Sequence, residues 1–187
     1  GEGYGYVAMA ALIMFADDPA LCLPGMTNIL NTILEGQDNY LFESKDTNAL
    51  CLGMVAARLS RTADARVAGL IDSIEQLLVE HSRQPCLGSL LGLGIIIANL
   101  RTGNINGSDP SDTWRRQQAQ RILCIFFSAV NSCLEEENDV VLSLISSIKS
   151  GDTTDEDLSR SCANMEPLTL QDGCTQKMKA IMVGLSY

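Results

Sequence analysis

Histidine and cysteine are the side chains in this sequence that could carry nucleophilic or metal-dependent chemistry. The 187 residues include seven cysteines but one histidine, His81. A zinc site needs several such ligands at characteristic spacings, and a nucleophilic cysteine needs a base beside it, yet no CxxC pair occurs. His81 ends an amphipathic segment, where a histidine interacts favourably with a helix C-terminus. We therefore expect no metal, no cofactor and no catalytic residue.

The cysteines are spread along the chain, at positions 22, 51, 86, 124, 133, 162 and 174. Most lie inside apolar segments, as Cys51 does before Leu52 and Cys124 does after Leu123. Free cysteine behaves as a small buried hydrophobe in a reducing compartment. The pattern favours free thiols and a cytoplasmic location over a disulfide framework.

One basic cluster combines tryptophan with arginine. It consists of Trp114, Arg115, Arg116 and Arg121, on the polar side of an apolar stripe. Because tryptophan and arginine are enriched in binding hot spots, this cluster is the candidate protein-binding surface. The alternative is that Trp114 packs at the edge of a repeat while the arginines pair with nearby acidic residues.

Two further runs of sequence partly resemble ligand-binding motifs. Gly92-Leu93-Gly94 resembles part of a dinucleotide fingerprint, but its glycines lie inside a continuous apolar segment instead of a strand-to-helix turn. Close helix packing is the prediction there.

The acidic run at positions 152–157 lacks the ligand spacing of a calcium loop. It is predicted to be part of a solvated linker, with a docking or phosphorylation segment as the alternative.

Charge and hydropathy exclude other partners. The chain has 13 basic and 23 acidic side chains, a formal net charge of -10, which argues against neutralising a phosphate backbone. The longest apolar segment, at positions 87–100, is shorter than the roughly 20 residues that a membrane span needs. We expect no DNA partner, no direct contact with RNA and no membrane span.

Helical periodicity dominates the apolar residues. Four amphipathic stripes begin at Met26, Val67, Ile122 and Val140, and Asp64 and Gly151 are placed to cap the second and the fourth. Three other segments, at positions 6–15, 50–59 and 87–100, are apolar or small nearly all round and are expected to be buried on every side. The alternation predicts an all-α fold of antiparallel helical pairs stacked in layers.

The segments that are apolar all round also recur. Gly5, Gly53 and Gly94 begin similar sequences at intervals of 48 and 41 residues. Helical-hairpin repeats of the HEAT and armadillo type are about 40–47 residues long. Glycine is unfavourable inside a helix, so its recurrence indicates that neighbouring helices approach closely there.

Two of these segments carry a family resemblance. The runs at 51–57 (CLGMVAA) and 91–98 (LGLGIIIA) resemble the glycine-rich helices of HEAT- and armadillo-type α-solenoids, of their proteasome/cyclosome variant, and of focadhesin-like proteins. The resemblance covers about residues 1–134, in three repeat units. It implies a piece of a large cytoplasmic scaffold, linked to focal adhesions and to stabilising an RNA-decay helicase complex.

The predicted organisation follows from these patterns. Residues 1–150 are predicted to form three helical-hairpin repeats with a following amphipathic helix, 151–167 an acidic linker, and 168–187 the start of a further helix or repeat. The predicted function is a non-catalytic scaffold that binds other proteins of a multisubunit complex. The alternatives are a compact helical domain of a thiol-dependent enzyme and a solenoid that contacts RNA.

Overall fold

The computed structural model describes residues 2–18, 24–28, 45–80, 87–101, 110–151, 153–165 and 167–186. His81, Cys22, Cys86 and most of the first amphipathic stripe lie outside these residues. Residues 24–28 are helical, and the longer helices are α1 (Glu2–Phe15), α2 (Lys45–Ser60), α3 (Arg66–Glu80), α4 (Leu87–Arg101), α5 (Pro110–Asn131), α6 (Asp139–Ser150), α7 (Asp155–Ala163) and α8 (Thr175–Leu185). The described residues contain no β-strand, which confirms the all-α class, and no helix long and apolar enough to cross a membrane.

The amphipathic stripes lie on the buried faces of their helices. On α3 the buried residues are Val67, Leu70, Ile71, Ile74 and Leu78, which follow the spacing of one helical face. The third stripe is buried in the same way on α5, and its Phe126 is completely enclosed. The burial of these faces is what holds the second and third amphipathic helices in place.

The predicted caps are also present. The Asp64 carboxylate accepts the backbone N–H of Arg66 at the start of α3, at 2.9 Å. At the start of α6, the side chain of Asn138 accepts the N–H groups of Val140 and Val141. Gly151 ends that helix in the left-handed conformation, with φ 77°. The Gly151 N–H donates to the carbonyl of Ile148, which satisfies a carbonyl at the helix end.

The described helices pack in a connected series. Helix α1 packs on α2, α2 on α4 and α4 on α8. Helix α3 packs against α2, α4 and α5, and α5 packs against α4, α6 and α8. One continuous apolar core joins these helices, so that α2 and α4 are covered by neighbours on several sides.

The all-round apolar segments do not all behave alike. Nearly every side chain of α2 from Cys51 onward is buried, and α4 is buried to a similar degree, as expected. In α1, however, Leu12 and Phe15 are each 72% exposed. The expectation of burial on every side is therefore wrong for α1, because its described neighbours, α2 and the helical residues 24–28, leave Leu12 and Phe15 outside the core.

Close packing at the recurring glycines is confirmed at two of the three positions. A Cβ atom on Gly53 would lie 2.3 Å from the Cα atom of Gly92, and one on Gly94 would lie 2.8 Å from the Cα atom of Gly184. These glycines let α2, α4 and α8 approach backbone to backbone. A Cβ atom on Gly5 would meet no atom within 4 Å, so Gly5 makes no such contact.

The segment predicted to be an acidic linker contains the short helix α7. Thr154 and Asp157 bond reciprocally at its start: the Thr154 hydroxyl donates to the Asp157 carboxylate at 2.6 Å, and the Asp157 N–H donates to the Thr154 hydroxyl at 3.2 Å. This is the pattern of a helix capping box. The hydrogen bonds from Thr154 lower the pKa of Asp157.

Candidate functional site

The predicted protein-binding cluster lies along the first half of α5. Trp114 is half-buried and packs against the main apolar core. Arg116 is exposed, whereas Arg115 and Arg121 are half-buried. The four residues therefore lie on one helix but differ in how far they are exposed to solvent.

Arg115 and Arg121 both reach back toward the preceding hairpin. Arg115 donates to the backbone carbonyl of Arg61, in the turn after α2, at 2.8 Å. Arg121 forms ion pairs with Asp72 and Glu75 on α3, the second at 3.2 Å. These contacts tie α5 to α3, where the apolar contact between the two helices is small.

Arg116 is therefore the member of the cluster with an exposed guanidinium group. A guanidinium group recognises planar acidic groups through paired hydrogen bonds, so the chemistry available at this position is binding of a carboxylate or phosphate. Trp114 and the two inward-reaching arginines hold the helix that presents Arg116.

The thiols of Cys51 and Cys124 are not activated as nucleophiles. Burial raises the pKa of Cys51 to about 11. Burial also raises the pKa of Cys124, although the charge of Lys149 opposes that shift. A catalytic thiol needs a lowered pKa, so these two cysteines act as packing residues.

A second cluster forms where the end of α5 meets the start of α8. Cys133, completely buried, follows α5, and the half-buried Cys174 directly precedes α8. Burial, and after it the neighbouring thiol of Cys174, raise the pKa of Cys133, and the charge of Lys177 opposes them.

Lys177 is an unusual charge in this position. It is 8% exposed, and its ammonium group donates to the Ser132 hydroxyl at 3.1 Å. Buried lysine is uncommon unless it is paired. The cluster of Ser132, Cys133, Cys174 and Lys177 therefore combines two adjacent thiols with a buried cation.

The sequence contains no signal for this second cluster. Cys133 and Cys174 are 41 positions apart, outside any spacing that marks a paired-cysteine motif. An isolated antiparallel bridge between Leu134 and Leu170 brings the two segments together. Because such a pairing depends on how α6 and α7 fold back, only the tertiary structure places these thiols side by side.

Over the residues that the structure describes, no group of three His, Cys, Asp or Glu side chains is arranged to hold a metal ion. Comparison of the chain with profiles of known protein families, with curated proteins and with solved structures finds no match in any of the three.

Proposed function

We propose that this chain is a segment of a HEAT- or armadillo-type α-solenoid and acts as a non-catalytic protein-interaction scaffold. The observation that supports this proposal is the order of packing. Helices α1, α2, α4 and α8 contact one another in that order, while the amphipathic helix α3 packs against α2 and α4 and the amphipathic helix α5 packs against α4 and α8. Successive hairpins that each contact their neighbours are the plan of a solenoid.

The glycine contacts support the same architecture. They occur between helices that would occupy equivalent places in successive repeats, as Gly53 and Gly92 do in α2 and α4. A small residue at such a position sets the distance between repeats, and therefore the curvature of the stack. The resemblance to focadhesin-like proteins adds a cytoplasmic setting, with roles at focal adhesions and in stabilising an RNA-decay helicase complex.

The proposed contact surface is centred on Arg116, on the outer side of α5. The chain has a net charge of -10, so an exposed arginine beside a tryptophan is a local exception to its acidic surface. Such a position suits an acidic patch on a partner protein of a multisubunit complex, since the remaining acidic surface repels a wrongly placed partner.

Affinity capture of the full-length protein that carries this segment tests the proposal. We expect the unmodified protein to recover a defined set of stable partners, and Arg116→Glu to reduce at least one of them by about tenfold or more, because charge reversal at a hot spot removes both contact and attraction. Quantitative mass spectrometry of the captured proteins is the measurement.

Lys149→Glu is the matched control, since Lys149 on α6 is also exposed and carries the same charge. This variant should retain every partner at the level of the unmodified protein. Absence of any stable partner would argue against a scaffold. Equal losses from both variants would show that Arg116 is not the contact and that only the net charge matters.

A further inference from the structure

The junction between α5 and α8 holds two free thiols in a fixed backbone setting. The Gln171 N–H donates to the carbonyl of Cys133 at 2.9 Å, and the Cys174 N–H donates to the carbonyl of Gln171 at 3.1 Å. The Gln171 side chain donates to the carbonyl of Leu134 at 2.7 Å. This hydrogen-bonded turn places the Cys174 side chain beside that of Cys133.

The side chains complete the arrangement. Burial and the neighbouring Cys174 thiol raise the pKa of Cys133, as expected when the two side chains lie close to each other. Cys133 is enclosed, whereas Cys174 is half-buried and therefore reachable by a small reagent. Lys177 donates to the hydroxyl of Ser132, the residue before Cys133, which ties the first turn of α8 to the end of α5 at this junction.

We propose that Cys133 and Cys174 form a redox modification site, at which a peroxide converts the two thiols into a disulfide that joins the end of α5 to the start of α8. The proposal is independent of the scaffold function. Disulfides in reducing compartments are usually transient and redox-sensing, so a pair of this kind is distinct from a structural disulfide framework.

The chemistry balances with hydrogen peroxide as the oxidant. The Cys174 sulfur attacks one peroxide oxygen, an S–O bond forms and the O–O bond breaks, and the released hydroxide takes the thiol proton to become water. The Cys133 sulfur then attacks the sulfenic sulfur of Cys174, so that an S–S bond forms and the S–O bond breaks. The second hydroxide leaves as water with the Cys133 proton. Two thiols lose two electrons, and one peroxide becomes two waters.

The disulfide would change how firmly α8 is held. It closes a loop that contains α6 and α7, and it attaches the start of α8 to the helix on which α8 partly rests. A covalent link across such a loop restricts the unfolded chain. We therefore expect oxidation to raise the thermal midpoint by about 5 °C or more.

Treatment of the whole 187-residue chain with stoichiometric hydrogen peroxide, followed by alkylation of the remaining thiols, tests the site. Intact mass should fall by about 2 Da before alkylation, the mass of two thiol hydrogens. Peptide mapping should recover a linked pair that contains Cys133 and Cys174. Dithiothreitol should reverse both the link and the rise in thermal midpoint.

Cys174→Ser and Cys133→Ser should each abolish the link, while Cys124→Ser should form it normally. Cys124 is a suitable control because it is also half-buried and packs near the carbonyl of Ile145. Circular dichroism checks that each variant is folded. Peptide mapping of the oxidised, unmodified chain tests the proposal without any substitution. Oxidation of Cys174 to sulfinic acid without a link, or a link between other cysteines, would overturn the proposal.

Discussion

Glycine and arginine decide how closely the helices of this protein approach. Gly53 and Gly92 meet backbone to backbone, so α2 and α4 lie closer together than helices with side chains at that contact could. Arg115 and Arg121 act where helices have little direct contact. Their side chains link α5 to the turn after α2 and to α3, and α3 and α5 otherwise touch little. Both kinds of contact set the spacing between these helices.

The glycine contact leads to a stability prediction. Gly53→Ala should lower the free energy of unfolding by about 2 kcal/mol, because the new methyl group would lie against the backbone of Gly92 and the two helices would have to separate. Denaturation in urea, followed by circular dichroism, measures the change. A Gly53→Ala variant as stable as the unmodified protein would contradict the close contact.

Gly69→Ala is the matched control. Gly69 also lies inside a helix, α3, but it is exposed, and a Cβ atom there would meet no atom within 4 Å. Alanine is favoured over glycine in a helix by about 0.5–1 kcal/mol, so this variant should be more stable than the unmodified protein by about that amount. The two substitutions are chemically identical and should have opposite signs.

At the scale of single elements, the ends of the helices are specified locally. The caps of α3 and α6 arise from side chains within three residues of the helix start, and the reciprocal Thr154–Asp157 pair begins α7 in the same way. The acidic residues near position 155 therefore have a structural explanation, since they lie in the first turn of a helix. This accounts for part of the negative charge without a ligand.

The capping pair predicts a pH effect. The folded pKa of Asp157 is lowered by its hydrogen bonds with Thr154, so the ionised form stabilises α7 above the unfolded pKa, and that stabilisation is lost as pH falls through the folded pKa. NMR titration should therefore find the Asp157 carboxyl below the ordinary value of about 3.9. In Thr154→Val the Asp157 carboxyl should titrate higher than in the unmodified protein, because the hydroxyl bond is lost while the backbone N–H of residue 154 can still donate to it.

Asp64 provides the reference in the same experiment, because the hydrogen bond that lowers its pKa comes from Arg66 and lies outside this capping pair. Its chemical shift should follow the same curve in both proteins. An Asp157 carboxyl that titrates identically with and without the Thr154 hydroxyl would rule out the reciprocal bond in solution.

At the scale of the molecule, a main apolar core links helices along most of the described chain, with residues from α1, α2, α3, α4, α5, α6 and α8. A smaller cluster of Phe127, Leu144 and Ile148 joins α5 to α6. Arrays of many repeats can unfold piecemeal, but a short stack with a shared core has few places to separate. The molecule should therefore behave as a single cooperative unit.

The shared core predicts one unfolding transition. Trp114 is the single tryptophan and packs on the core, so its fluorescence reports on the α5 region, whereas far-UV circular dichroism reports on all the helices. Both signals should have the same midpoint in urea, as expected for two-state unfolding. Two separated midpoints would show that the hairpins unfold independently.

Much of the fold could be predicted from the sequence because its signals are local. Apolar spacing within a dozen residues predicted the buried faces of α3, α5 and α6, and Asp64 and Gly151 cap helices where expected. The prediction failed for α1, where composition indicates a buried helix but the neighbours that the structure describes leave Leu12 and Phe15 exposed. Burial on every side depends on how many neighbours a helix has, which its own residues do not specify.

By itself, the sequence determined the helical class, the apolar faces and the small residues that allow close contact, since each depends on chain periodicity or on the absence of a side chain. Only the tertiary structure decided that Arg121 pairs with α3 while Arg116 is exposed, and that Cys133 meets Cys174. These relations join residues about 40 to 50 positions apart. Packing of the intervening helices creates them, and no local pattern encodes that packing.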